Sequence, residues 1–133
     1  MSRIRSKDTA PEMLVRSALH RLGFRYRLHV KALPGCPDLV FPSRRTVLFI
    51  HGCFWHGHDC KVGARTPKTN SDYWREKIER NRRRAAVSEA LLAKAGWSVL
   101  VVWECELVHL DVAIGRIAKV LSLNNAQIDE AHA

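Results

Sequence analysis

The segment Cys53-Phe54-Trp55-His56-Gly57-His58-Asp59-Cys60 holds two thiols with two imidazoles between them, and a third thiol, Cys105, follows far downstream. Zinc favours thiolate and imidazole, and a four-ligand shell without an open position is structural. Cys53, Cys60, Cys105 and one histidine fit that shell, but spacing does not choose between His56 and His58. The fourth cysteine, Cys36, reads as a small core residue. A second grouping offers different chemistry. Asp38 follows Cys36-Pro37 at the mouth of the apolar run Leu39-Val40-Phe41, and His51 ends the next apolar run. A carboxylate is what a hard, oxygen-preferring Mg²⁺ takes, and Mg²⁺ completes its octahedron with waters and phosphate oxygens. An imidazole beside it, titrating close to neutrality, suits deprotonating a water or stabilising a pentavalent phosphate. Taken alone, Asp38 reads first as a turn residue capping the strand.

These groups need elements to hold them. Thr9 caps a predicted helix over 10–22, with Pro11 and Glu12 in its first turn, Leu14, Val15, Ala18, Leu19 and Leu22 on one side and Gly23 as the stop. Phe24, Tyr26, Leu28 and Val30 alternate with Arg25, Arg27 and His29, the period of a strand with one buried face. Pro34-Gly35 supplies a turn. Leu39-Val40-Phe41 and Thr46 to Ile50 then form a hairpin across Pro42-Ser43-Arg44-Arg45. From Gly52 to Asn70 the chain reads as a long loop, which a metal would brace by offsetting its ordering entropy.

Ser71 opens a helix ending at Gly96, with Trp74, Ile78, Ala85 and Leu92 inward. A buried strand from Trp97 to Trp103 and a helix from about Asp111 to Leu121, burying Val112, Ile114, Ile117 and Leu121, complete the domain. After Leu123 a polar tail, 124–133, is expected to fray. The order helix, three strands, long loop, helix, strand, helix predicts one α/β domain over 1–123, a mixed central sheet flanked by helices.

Composition agrees. With 133 residues there is room for one domain, and 47% hydrophobic residues can build its core. A net charge of +9 points to a polyanionic partner, nucleic acid first. The chain lacks a signal-peptide core and any apolar run approaching the ~18 residues of a membrane span, so a cytoplasmic, nucleoid-associated protein, expected to be monomeric, follows.

Four strings then stand out together: Leu33-Pro34-Gly35-Cys36-Pro37-Asp38, Phe49-Ile50-His51-Gly52-Cys53-Phe54-Trp55-His56, Tyr73-Trp74-Arg75-Glu76-Lys77-Ile78 and Val101-Val102-Trp103-Glu104-Cys105. From about Met1 to Cys105 the chain resembles the very-short-patch repair (Vsr) endonucleases. The resemblance implies a restriction-endonuclease-like fold of the PD-(D/E)xK class, with Pro37-Asp38 as the PD and no second carboxylate. It implies nicking 5′ of the thymine in T:G mismatches that arise from 5-methylcytosine deamination. Asp38 and the Ile50 backbone carbonyl would bind Mg²⁺, and His56 would be the general base. Glu12 would orient the water and His51 would stabilise charge at the phosphate. The family's zinc ligands fall on Cys53, His58, Cys60 and Cys105, which assigns His58 to zinc and His56 to catalysis.

The resemblance also makes Phe54, Trp55 and Trp74 intercalating wedges beside the mismatch, with Met1 entering from the opposite groove. Without it, Trp74 reads as core. Arg82, Arg83 and Arg84 on the long helix supply phosphate contacts, and a mismatch-repair protein is a possible partner. Two rival readings differ in class: a non-catalytic, zinc-braced module recognising distorted duplex, and a related nuclease with another substrate.

Overall fold

The computed structural model describes residues 10–53 and 70–132, with side chains described as far as residue 124. Apolar spacing sets the first helix, α1 (Ala10–Arg21), which buries Val15 and Leu19 completely. Leu14 and Leu22, expected inward, are exposed, because only a narrow stripe of α1 meets the sheet. Gly23 then takes a left-handed φ of 91° and turns the chain into Phe24.

The strand expected over 24–30 shrinks to β1 (Arg27–Leu28). His29 adopts a left-handed φ of 48°, which a pleated strand cannot accommodate, and Leu28 stays exposed. β2 (Leu39–Phe41) and β3 (Thr46–His51) form the expected hairpin. The turn between them is a single 3-10 turn, Pro42–Arg44, closed by Arg45 in the left-handed region.

The long helix α2 (Ser71–Lys94) is followed by β4 (Ser98–Trp103), which pairs parallel to β3. β4 is the outer strand of the order β1-β2-β3-β4. Its apolar run is therefore only partly buried, Val102 alone being fully so. β3, with a neighbour on each side, is buried along nearly its whole length. A 3-10 segment, Glu104–His109, leads into α3 (Leu110–His132). Ile114, Ile117 and Leu121 are buried as expected, whereas Val112 is exposed. The backbone from 124 onward continues α3 to His132 instead of fraying, and the Asn124 amide donates to Thr46 Oγ1 at 2.6 Å.

The sheet separates two apolar layers. α1 and α3 pack on one face through Val15, Leu19, Leu39, Phe41, Leu48, Ile117 and Leu121. On the other face Val40, Val47 and Phe49 meet Leu92 of α2. Alternate residues of β2 and β3 thus serve opposite layers, as a pleated strand requires. Of the α2 residues expected inward, Leu92 is buried, while Trp74, Ile78 and Ala85 are half-buried. Among the described residues this helix meets the sheet core through Leu92, near its end.

Candidate active site

The functional side chains gather where β2 begins and β3 ends. Gly35, with φ 76°, makes the turn before Asp38, and a side chain there would meet Ser88 of α2 at 2.7 Å. The Pro34-Gly35 turn thus seats the Asp38 segment directly against α2. Asp38 leads into β2, and its Oδ2 accepts the backbone N–H of Ile50 at 2.7 Å. This bond ties the mouth of β2 to the end of β3, two residues from the next loop. Burial nonetheless pushes the Asp38 carboxyl up to about 6, against the opposing pull of the Ile50 N–H; Glu12 raises it further and His29 lowers it.

His51 closes β3 in register with Trp103 of β4 and is buried. Its imidazole stands edge-on to the Trp103 ring, centroids 5.0 Å apart, and tilts against Phe49 at 5.8 Å. Among the described residues a cleft of about 930 Å³ opens on the α2 side of the sheet. Asp38, Ile50, His51 and His29 line it from the sheet, and Asn81, Arg83, Arg84 and Ser88 from α2. One wall is thus acidic and imidazole-bearing, the other cationic.

Glu12 lies behind this wall. It is 1% exposed, an unusual position for a carboxylate. Arg16 Nη1 donates to its Oε2 at 3.2 Å, and His29 Nε2 lies 3.0 Å from the same oxygen. Ligand-type atoms of Glu12, His29 and Asp38 all lie within 4.8 Å of one another, a grouping that could hold a metal ion. The structure thus brings together Glu12, Asp38, Ile50 and His51, all singled out from the sequence. It adds His29, which alternation had placed on an outward strand face, and Lys31 at the cleft rim. No local signal marks His29; only its pairing opposite Asp38 does, through a backbone His29 N–H to Asp38 carbonyl bond of 3.1 Å.

The thiols fall into the same pattern. Cys53 is 1% exposed, and the backbone N–H of Cys105 donates to its sulfur at 3.3 Å. Two of the expected zinc ligands, more than fifty positions apart in sequence, are thus neighbours. His58 and Cys60, together with Phe54, Trp55, His56 and Met1, lie outside the described residues. Trp74 is half-buried, its ring edge-on to Tyr73 at 5.1 Å. Arg82, Arg83 and Arg84 are exposed on α2.

A half-buried acid and a buried imidazole sharing a cation-lined cleft at the strand ends of a mixed sheet suit a hydrolytic enzyme for a polyanionic substrate. The family model described as DNA mismatch endonuclease Vsr matches residues 1–62. The type II nicking enzyme V.XorIIP of Xanthomonas oryzae pv. oryzae is 57% identical over 121 residues, covering 91% of this chain and 88% of that protein. V.NmeAIP, a type II nicking enzyme of Neisseria meningitidis serogroup A, is 47% identical over 91% of this chain and 86% of its own length. The DNA mismatch endonuclease Vsr of Escherichia coli K12 is 42% identical over 107 residues, 80% of this chain and 68% of that protein. The chain belongs to the Vsr family of DNA mismatch endonucleases, and is an endonuclease that acts on DNA.

Proposed function

We propose that the protein nicks one DNA strand 5′ of the thymine in T:G mismatches left by 5-methylcytosine deamination, using Mg²⁺, and so starts very-short-patch repair. The observation that carries this reading is the placement of Asp38. Its carboxyl is half-buried, raised to about 6 by that burial and set in a cleft with His51 and the α2 arginines Arg83 and Arg84. A carboxylate so placed gains from a bound cation, and an oxygen donor in a cleft that admits phosphate suits Mg²⁺. Asp38 and the Ile50 carbonyl would hold that ion, and the bound ion would polarise the scissile phosphate and lower the pKa of water.

The chain's own groups supply the rest. His56 takes the proton of the attacking water, Glu12 fixes the water's orientation, and His51 places an imidazole against charge developing on the phosphate. His51 suits this role because Trp103 and Phe49 pin its ring. Zinc is structural, held by Cys53, His58, Cys60 and Cys105. The N–H donated by Cys105 to the buried Cys53 sulfur supports this reading, since such donors stabilise a metal-bound thiolate. Phe54, Trp55 and Trp74 open the stack at the mismatch, where unstacking costs least, with Met1 on the opposite groove. Arg82, Arg83 and Arg84 track the phosphates. Residues 1–123 form the nuclease domain and 124–133 an appended tail. The reading takes the protein as a nucleoid-associated monomer, with a mismatch-repair protein as a candidate partner.

The test is strand nicking of an end-labelled duplex carrying T:G, with and without Mg²⁺. The wild-type chain cuts the thymine strand 5′ of the mismatch, a matched duplex is spared, and Asp38→Ala loses at least about a hundredfold in rate. Equal cutting by both chains, or equal cutting of matched DNA, removes the proposal.

A further inference from the structure

Glu12 is 1% exposed and does not line the cleft, so its hold on the water must pass through His29, against which it packs and which does line it. The Glu12 and His29 side chains are 2% and 12% exposed, so the imidazole stands between a buried carboxylate and the cleft. Three features deliver it there. β1 ends at Leu28, one residue earlier, and His29 turns into the left-handed region at φ 48°. Its N–H then bonds the Asp38 carbonyl, which fixes the two residues side by side. Finally, Arg16 anchors Glu12 Oε2, the oxygen 3.0 Å from His29 Nε2. A non-glycine residue in this backbone region is uncommon, and such conformations gather at functional sites because the surrounding structure must hold them.

We infer that Glu12 and His29 act as one unit in the reaction centre: the buried carboxylate locks the imidazole of His29 at the cleft wall beside Asp38. There the ring orders the water shell around the divalent cation bound to Asp38. His29 is thus a positioning residue that neither the family resemblance nor any motif in the sequence assigns. It is not itself a ligand of that ion, because a hard cation such as Mg²⁺ prefers oxygen, and its Nε2 lies 3.0 Å from Glu12 Oε2. This inference rests on the metal-dependent nuclease reading given above and deepens it.

The experiment compares wild-type, Glu12→Gln, His29→Ala, His29→Gln and the Glu12→Gln/His29→Ala double variant. Each is measured for single-turnover nicking of the T:G duplex, for duplex affinity with Ca²⁺ in place of Mg²⁺, and for melting temperature. His29→Ala slows nicking about 10- to 100-fold while duplex affinity changes less than about twofold, because orientation is lost and binding is not. His29→Gln, whose amide nitrogen can reach the position of Nε2, recovers most of the rate. The double variant is no slower than the slower single one, since the two residues work as a unit.

Nicking by His29→Ala at the wild-type rate overturns the inference, and so do multiplicative losses in the double variant. A rise of about tenfold or more in the Mg²⁺ concentration needed for half-maximal rate overturns it as well, by making His29 a metal ligand. If His29→Ala melts far below wild type, the decision passes to His29→Gln, which must fold and retain the rate. Failure of the wild-type chain to nick any mismatched duplex sinks the nuclease reading itself, a result distinct from all of these.

Discussion

The placement of Asp38 makes its charge costly to stability. Its carboxyl is raised to about 6 chiefly by burial, whereas the unfolded chain releases that proton near the ordinary carboxylate value of about 3.9. Between those values the folded protein holds a proton that the unfolded one has lost, so this residue's contribution to stability falls as pH rises through the window. Above about pH 6 the ionised, metal-free site costs on the order of 3 kcal/mol. Asp38→Asn keeps an oxygen to accept the Ile50 N–H and removes the charge. The metal-free variant is therefore expected to melt several degrees above wild type at pH 8 and close to it at pH 4.5, while losing nicking. Thermal melts at the two pH values check this, and a variant less stable than wild type at pH 8 contradicts it. Nicking by the wild-type chain is expected to decline as pH drops through about 6, because protons then compete with the metal for Asp38.

Among the elements, the junction after β3 and β4 is where the proposed zinc would be held. β3 ends at His51 and β4 at Trp103, in register, so Cys53 and Cys105 emerge from adjacent parallel strands. Two thiols arriving together from adjacent strand ends would supply half of the proposed zinc shell. Cys105→Ala leaves three of the four proposed ligands, too few to close the shell against water. The expected result is loss of stoichiometric zinc, a lower melting temperature and a fall in nicking, read by metal analysis, calorimetry and the T:G assay. Retention of both zinc and full rate in this variant rules out Cys105 as a ligand.

For the molecule as a whole, charge decides how DNA is met. The net +9 is spread over the chain, but the middle of α2 presents exposed Arg82, Arg83 and Arg84 beside the cleft. Arg83 also pairs with Glu79 at 3.4 Å, an exposed ion pair that phosphate can outcompete. Replacing these three arginines with alanine is expected to weaken binding of matched and mismatched duplex alike. It should also flatten the salt dependence of log affinity by up to about 2.7 in slope, near 0.9 for each phosphate no longer neutralised. Affinity measured across a salt series tests this, and an unchanged slope assigns the phosphate-binding role elsewhere.

The order of elements was legible in the sequence because helical and strand periods are local. Val15 and Leu19, the hairpin of β2 and β3, and the core stripe Ile114, Ile117 and Leu121 announce themselves by spacing. The cluster of thiols and imidazoles was legible too, whereas Asp38 and His51 stood out only through the strings that resemble the family. Burial of each face was not legible, because it depends on which element packs opposite. Leu14, Leu22 and Val112 obey helical spacing yet face solvent, and the apolar β4 lies at the edge of the sheet. His29 was invisible for the same reason. A pattern of alternation assumes a continuous strand, and only the pairing of β1 with β2, the left-handed turn at His29 and the helix carrying Glu12 bring that imidazole to Asp38. Periodicity is a property of neighbours along the chain, whereas a reaction centre is a meeting of residues far apart in it, and only tertiary packing decides that meeting.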